Sequence, residues 1–203
     1  MDKSLQAGAF TFLQKLVESD AIQPQNELVI RQIHKLITDI IVLMPLKLKE
    51  LRKGSTPSLW IELASLITAF YKKFSSFGLH SEFWSAFQGL KPTHRCLALQ
   101  DFIRIDMVSA ELYVPTVKML EAISKDESSS SSCFRLLRQA AGNLSWERIF
   151  ESLKQYSDHL KVESGPGNTN WSQQASISPE ETAALVAVIK LTSTVAEHDP
   201  SSR

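Results

Sequence analysis

The segment from Leu28 to Met44 has the clearest hydrophobic pattern in the chain. On a helix that turns about 100° per residue, nearly all of its apolar side chains fall on one side. Its polar side chains, among them His34, fall on the other side and are expected to be solvated. A stripe this broad predicts a helix that is buried against other helices. Pro45 is expected to end this helix, because proline lacks an amide donor and its ring clashes with the preceding turn.

Apolar residues spaced three and four apart predict further helices along the rest of the chain, and no alternating strand pattern with hairpin turns is present. The run Lys125 to Ser132 (KDESSSSS) is polar and of low complexity, and it is expected to be a loop. The additional predicted helices are Ser4–Glu18, Leu46–Lys53, Ser58–Phe74, His80–Phe87, His94–Met107, a segment from near Pro115 to Ile123, Cys133–Ala141, Ser145–Lys161 and a last one after Ser178.

The last helix has the best local start signal in the sequence. Ser178 is a good N-cap residue, Pro179 suits the first helical position, and Glu181 completes a capping box. The helix that follows, TAALVAVIKLTST, is apolar on nearly every side. Either this helix is central to a compact bundle, or it is the end of an interrupted solenoid, in which a further helix would cover its apolar surface.

Together these patterns predict an all-α fold, an irregular α-helical solenoid segment of antiparallel helices joined mostly by short connections. We divide the chain into a solenoid segment over residues 1–163, a flexible linker over residues 164–177, and a final apolar helix with a polar tail over residues 178–203. Because the last helix is so apolar, we expect the isolated chain to self-associate or to be only marginally folded.

Composition narrows the classes of function. The 203 residues include 22 Lys and Arg against 22 Asp and Glu, so the net charge is zero. This balance argues against direct binding of nucleic acid and against electrostatic docking to anionic lipid. The only cysteines, Cys96 and Cys133, have no paired spacing, which fits a reducing compartment. No apolar run is long enough to span a bilayer.

Residues that could carry chemistry are scattered. The sequence has no phosphate-binding loop, no dinucleotide-type glycine motif and no nucleophile elbow. The histidines show no metal-ligand spacing, and His94 and Cys96, two apart on a predicted helix, do not face each other. We therefore predict no enzyme activity, no catalytic, cofactor-binding or metal-binding residues, no cofactor and no small-molecule substrate. The five histidines are His34, His80, His94, His159 and His198.

Three other features have both a functional and a structural interpretation. The tryptophans Trp60, Trp84 and Trp146 lie among aliphatic residues at helical spacing and are expected in the core. Trp171 lies alone in a polar stretch, where it is either an anchor for a binding partner or a loop residue packed against the rest of the protein. The serine run is either a phosphorylated segment or an unmodified loop. The basic cluster, either a contact for an acidic partner or a solvated face, consists of Lys47, Lys49, Arg52 and Lys53.

Several stretches resemble one family in that family's own order. HKLITDIIVLMPLKLKELR at His34 to Arg52 looks like the signature stretch of the largest inner-ring scaffold nucleoporins. The resemblance runs from about Ala7 to Val195. Since members of that family are much longer, we expect the chain to correspond to a fragment of their N-terminal half. The other matching stretches are FYKKF at Phe70 to Phe74, YVPTVKMLEAI at Tyr113 to Ile123, LSWERIFESLKQYSDHLK at Leu144 to Lys161 and KLTST at Lys190 to Thr194.

The resemblance implies a structural constituent of the inner ring of the nuclear pore complex, at the nuclear envelope. It implies a helical scaffold that binds other inner-ring and linker nucleoporins and that supports pore assembly and nucleocytoplasmic transport, including protein and mRNA transport. It implies no catalysis. The family's binding residues do not form a motif that can be transferred to this sequence, so no partner-binding residue is predicted.

Two other classes of function remain as alternatives. An unrelated helical-repeat adaptor or transport receptor would have regular helix pairs of near-constant length and a charged concave face. A helical regulator of small GTPases would need only one protruding side chain and no sequence motif.

Overall fold

A computed structural model describes residues 3–51, 58–88, 110–139, 144–163 and 178–199. Within these ranges the chain forms α-helices and one short 3₁₀ turn, Ser75–Phe77, and it contains no β-strand. The all-α prediction is therefore confirmed. The helices are α1 (Lys3–Glu18), α2 (Glu27–Leu51), α3 (Ser58–Lys73), α4 (His80–Gln88), α5 (Ala110–Ala122), α6 (Glu127–Gln139), α7 (Trp146–Glu163) and α8 (Pro179–His198).

The helices pack as two rows. In the first row α1 contacts α3, α3 contacts α5, and α5 contacts α8. In the second row α2 contacts α4, α4 contacts α6, and α6 contacts α7, while α6 also touches α8 across the rows. No helix in the described ranges combines the length and the apolarity that crossing a membrane requires.

Side-chain contacts give the helix directions. Thr11 donates to Glu62 Oε2 at 3.2 Å and Lys73 Nζ donates to the carbonyl oxygen of Val17 at 2.8 Å, so α1 and α3 run in the same direction. His34, near the start of α2, instead contacts Tyr71, near the end of α3. Helices α1 and α3 of the first row are therefore parallel, and α2 and α3, which follow each other in the chain, are antiparallel.

The core lies between the rows and is densest around α3, whose inward residues recur at three and four as the sequence predicted. The apolar stripe of α2 is buried only in part. Its central line is buried, while Val29 and Leu36 at the sides of the stripe remain over 40% exposed. The central line of α2 consists of Ile30, Ile33, Ile37 and Ile41. The fully buried residues of α3 include Leu63, Leu66, Ile67, Phe70 and Tyr71.

Two predictions based on proline were wrong. Helix α2 continues through Pro45 to Leu51, and α5 begins at Ala110, five residues before Pro115. Proline removes one backbone hydrogen bond from a helix, and longer-range packing can compensate for that loss. In α5 the residue after the proline provides such a contact with α3: Thr116 Oγ1 accepts from Trp60 Nε1 at 3.2 Å and donates to the Leu112 carbonyl.

The predicted serine loop is also wrong, because the run Ser128 to Ser132 forms the first half of α6. Asp126 caps this helix: its Oδ1 accepts from the Ser129 amide at 2.8 Å, and the Ser129 hydroxyl accepts from the Asp126 amide at 3.2 Å. Ser129 and Ser130 are fully buried. With Cys133 and Leu137 they form one helical stripe, whose small side chains allow α6 to pack closely against its neighbours.

The last helix starts as predicted. Ser178 Oγ accepts from the Glu181 amide at 3.1 Å, and Glu181 Oε2 accepts from the Ser178 amide at 2.9 Å, which completes the capping box. Helix α8 packs on α5 and α6. The predicted helix His94–Met107 and the predicted linker at residues 164–177 lie outside the described residues, so the division of the chain into units stays a prediction.

Candidate interaction surfaces

The described part of the chain contains no group of three or more His, Cys, Asp or Glu residues that could hold a metal ion. Cys133 is fully buried, and burial raises the pKa of its thiol to about 12, so the reactive thiolate form is suppressed near neutral pH. Cys96, His94 and Trp171 lie outside the described residues, as do the side chains of the basic cluster at Lys47, Lys49, Arg52 and Lys53.

The predicted solvation of His34 is wrong. Its side chain is buried, with 5% of its surface exposed, and its Nε2 lies 2.8 Å from the Tyr71 hydroxyl. A polar residue can be buried at little cost when it finds such a partner. The three tryptophans Trp60, Trp84 and Trp146 are buried as predicted, and the indole N–H of each donates a hydrogen bond to a neighbouring helix or to the helix connection beside it.

A groove of about 380 Å³ lies between α7 and α8 on the described surface. Its floor includes Tyr113 of α5 and the buried Val188 of α8. Along the rim, Arg148 donates to Glu151 at 2.8 Å, so these two charges largely neutralise each other. An open groove with a mixed lining of polar and apolar side chains and a neutral rim suits a short peptide segment. The remaining lining residues are Ser152, Leu153, Gln155, Tyr156, Ala184 and Leu185.

The two tyrosines of the groove remain protonated phenols at neutral pH. Burial raises the pKa of Tyr113 to about 12, and the nearby Tyr156 adds to the shift. Burial, with the nearby Glu181 carboxylate, also raises the pKa of Tyr156. Both phenols can therefore donate hydrogen bonds to a peptide carbonyl. Sequence patterns predicted an apolar face on α7 but not this groove, because its walls come from three helices that are far apart in the chain.

A second kind of surface lies at the two ends of the rows. Every large hydrophobic side chain that is clearly exposed in the described ranges lies on the first two or the last two helices. We call the first group the N-terminal end face and the second the C-terminal end face. The N-terminal end face comprises Phe12, Leu28, Val29 and Leu36, and the C-terminal end face comprises Phe150, Val186 and Ile189.

Comparison with known proteins gives the family. Residues 4–203 match the family described as "Nuclear pore complex scaffold, nucleoporins 186/192/205". The chain belongs to this family. The resemblance seen in the ordered sequence stretches is thereby confirmed, and the chain is placed among scaffold proteins of the nuclear pore complex.

Two relatives give the extent of the similarity. The chain is 28% identical to human "Nuclear pore complex protein Nup205" over 248 aligned positions, which cover 96% of this chain and 12% of the relative. It is 25% identical to the Drosophila melanogaster protein of the same name, covering 100% of this chain and 12% of that relative. The chain thus spans about an eighth of each relative's length. Because 248 aligned positions exceed 203 residues, the human protein has residues within the aligned region that this chain lacks.

Proposed function

We propose that this chain is a segment of an irregular α-solenoid scaffold in the inner ring of the nuclear pore complex, where it binds linker nucleoporins and supports pore assembly and nucleocytoplasmic transport. The observation that carries the proposal is the family match over residues 4–203. The two-row packing and the exposed end faces support it, because a segment of a solenoid buries its sides and leaves its ends for further helices. The aligned region forms 12% of each much longer relative, which supports the same interpretation.

We assign partner binding to the α7–α8 groove. Its mixed polar and apolar lining, its neutralised rim and its two phenol donors suit a short linear segment that places one or two side chains in the groove and offers backbone carbonyls. The rival class of regular repeat adaptors fits less well, because the described helices range from 9 to 25 residues in length. The regulator of small GTPases remains an alternative that a nucleotide-exchange and hydrolysis assay with a panel of GTPases tests.

Binding of linker nucleoporin peptides to the purified chain tests the proposal. Overlapping peptides that cover the linker nucleoporins are titrated against wild type, Tyr156→Ala and Phe150→Ala. Both variants remove an aromatic ring from α7, but only Tyr156 lines the groove. We expect at least one peptide to bind and Tyr156→Ala to weaken it about tenfold or more, as loss of an aromatic anchor does, while Phe150→Ala leaves the affinity unchanged. Absence of binding by every peptide, or equal loss in both variants, would contradict the groove assignment.

A further inference from the structure

Three ring side chains form a buried stack where three helices meet. His34 comes from α2, Tyr71 from α3 and His80 from α4. The Tyr71 ring lies in the middle, with its centroid 5.9 Å from that of His34 and 5.1 Å from that of His80. All three residues are at least 95% buried. The stack therefore links α2 and α4 of the second row to α3 of the first row.

The hydrogen bonds of His34 suit a neutral ring. Its Nε2 lies 2.8 Å from the Tyr71 hydroxyl, and the ring also forms a hydrogen bond to the backbone of Leu79. When the ring carries its proton on Nδ1, its Nε2 accepts from the Tyr71 hydroxyl. A second proton on Nε2 would turn this acceptor into a donor, and the buried Tyr71 hydroxyl would lose the acceptor that it uses.

His80 suits a neutral ring for a related reason. Its Nε2 is buried and has no hydrogen-bond partner in the ranges that the structure describes, while the ring forms a backbone hydrogen bond to Ala122. An unprotonated nitrogen without a donor costs less than a charged N–H group without an acceptor. Protonation of His80 would therefore place an unsatisfied donor and a positive charge in the core.

The charged groups around the stack only partly offset the cost of protonating the two imidazoles. Glu82 of α4 lies 3.9 Å from His34 Nδ1, and Asp126, before α6, lies 3.9 Å from His80 Nδ1. Both carboxylates would attract a protonated ring, but they lie beyond hydrogen-bond distance and are partly exposed to screening solvent. Other cations repel a protonated ring: Arg31 of α2 and His80 act on His34, and Lys125, before α6, and His198 of α8 act on His80.

We propose that the His34–Tyr71–His80 stack is a proton-sensitive joint, which holds α2 and α4 against α3 while both imidazoles are neutral and releases them on acidification. Burial is the largest effect on both rings, and it lowers the pKa of His34 and the pKa of His80 below the ordinary 6.5. The stack stabilises the fold fully above pH 6.5 and loses its contribution as the pH falls through the lowered values, because the unfolded chain binds the protons first. Helices α5 and α8 pack extensively on each other, so they are expected to stay packed.

Unfolding by urea at pH 7.5 and pH 5.5 tests the joint on the full chain, together with hydrogen exchange of each helix. We expect the unfolding equilibrium constant to rise on acidification, by at most about tenfold for each histidine, since an unfolded imidazole with an ordinary pKa takes up nearly one proton over this interval. After correction for the intrinsic exchange rate, which itself falls on acidification, the protection of amides in α2 and α4 should decrease, and that of amides in α5 and α8 should decrease less.

Two variants separate the stack from other titrating groups. The double variant His34→Gln, His80→Gln keeps polar side chains that do not titrate, and it should lose most of the acid response. His198→Gln removes a side chain that lies outside the stack and acts on His80 only through its charge, so this variant should keep most of the acid response. NMR titration of the wild-type imidazoles gives an independent readout if the double variant folds poorly. Titration of both rings at the ordinary value, or a full acid response in a folded double variant, would overturn the proposal.

Discussion

Lys73, the last residue of α3, connects the end of α1 to the core. Its Nζ donates to the carbonyl oxygens of Val17 and Ser19, which belong to the end of α1, where helix carbonyls lack partners within the helix. The ammonium group also interacts favourably with the negative end of the helix dipole. A single side chain thus satisfies two acceptors and joins the first two helices of the first row.

The Lys73→Met variant keeps most of the side-chain volume but removes the charged donor. We expect the free energy of unfolding to fall by about 1–3 kcal/mol, the usual range for hydrogen bonds to charged groups. Hydrogen exchange should accelerate in α1 more than in α5. Lys72→Met is the matched control, because Lys72 is the adjacent lysine and is exposed. Equal stability of the two variants would show that Lys73 does not anchor α1.

At the scale of single residues, sequence patterns predicted apolar positions better than polar ones. The burial of Trp60, Trp84 and Trp146 followed from helical spacing, because apolar side chains need no particular partner. The burial of His34 did not, since it depends on the hydroxyl of Tyr71, which lies 37 residues further along the chain. A helical wheel assigns a polar residue to the solvent side and carries no information about such a partner.

Among the elements, α6 shows how packing overrides a composition argument. Five consecutive serines have weak helix propensity, but a reciprocal cap at Asp126 starts the helix, and close packing of the buried serines holds it in place. Ser130 donates to the Ser124 carbonyl at 2.6 Å, and Ser131 donates to Asp199 Oδ1 at 3.0 Å. The segment is thus a packed helix in which only Ser128 of the five is clearly exposed.

Glutamate substitutions distinguish the packed helix from an exposed loop. Ser130→Glu places a carboxylate in the core and should lower the free energy of unfolding by about 3 kcal/mol or more, or prevent folding. Ser128→Glu adds the same charge on the exposed side of the first turn, where the helix dipole favours it, and should change stability by less than about 0.5 kcal/mol. Urea denaturation of both variants measures the difference. Similar, small effects would indicate a loop.

Element boundaries were predictable where a local signal determines them. The capping box at Ser178 and Glu181 identified the start of α8, because all of its hydrogen bonds form within four residues. Pro45 and Pro115 gave false boundaries, because a proline weakens a helix by a limited amount that contacts with other helices can offset. Trp60 and Thr116, which meet across α3 and α5, are one such contact.

For the whole molecule, the distribution of exposed apolar residues carries more information than their number. Among the residues of α3 to α6 whose side chains the structure describes, no large hydrophobic one is clearly exposed, whereas Leu28 at one end is 73% exposed and Ile189 at the other is 50% exposed. Sequence patterns predicted the excess apolar surface of α8 but not its counterpart on α1 and α2, because the α2 stripe looked fully buried. The α7–α8 groove was not predictable either, since three distant segments form it.

The end faces predict that the isolated chain associates with itself, because exposed apolar surface is buried favourably and a net charge of zero provides no repulsion. Sedimentation velocity over a range of concentrations should show growing assemblies for wild type.

The double variants Leu28→Ser, Leu36→Ser and Val186→Ser, Ile189→Ser each remove apolar surface from one end face and should shift the chain toward monomer. Association of one end face with the other would make either double variant sufficient, since blocking one end stops growth. Lys190→Ser, an exposed polar neighbour on α8, should leave association unchanged. A wild-type chain that stays monomeric at all concentrations would show that the two end faces are stable in contact with water. The exposed apolar residues would then no longer support a solenoid that continues beyond these helices.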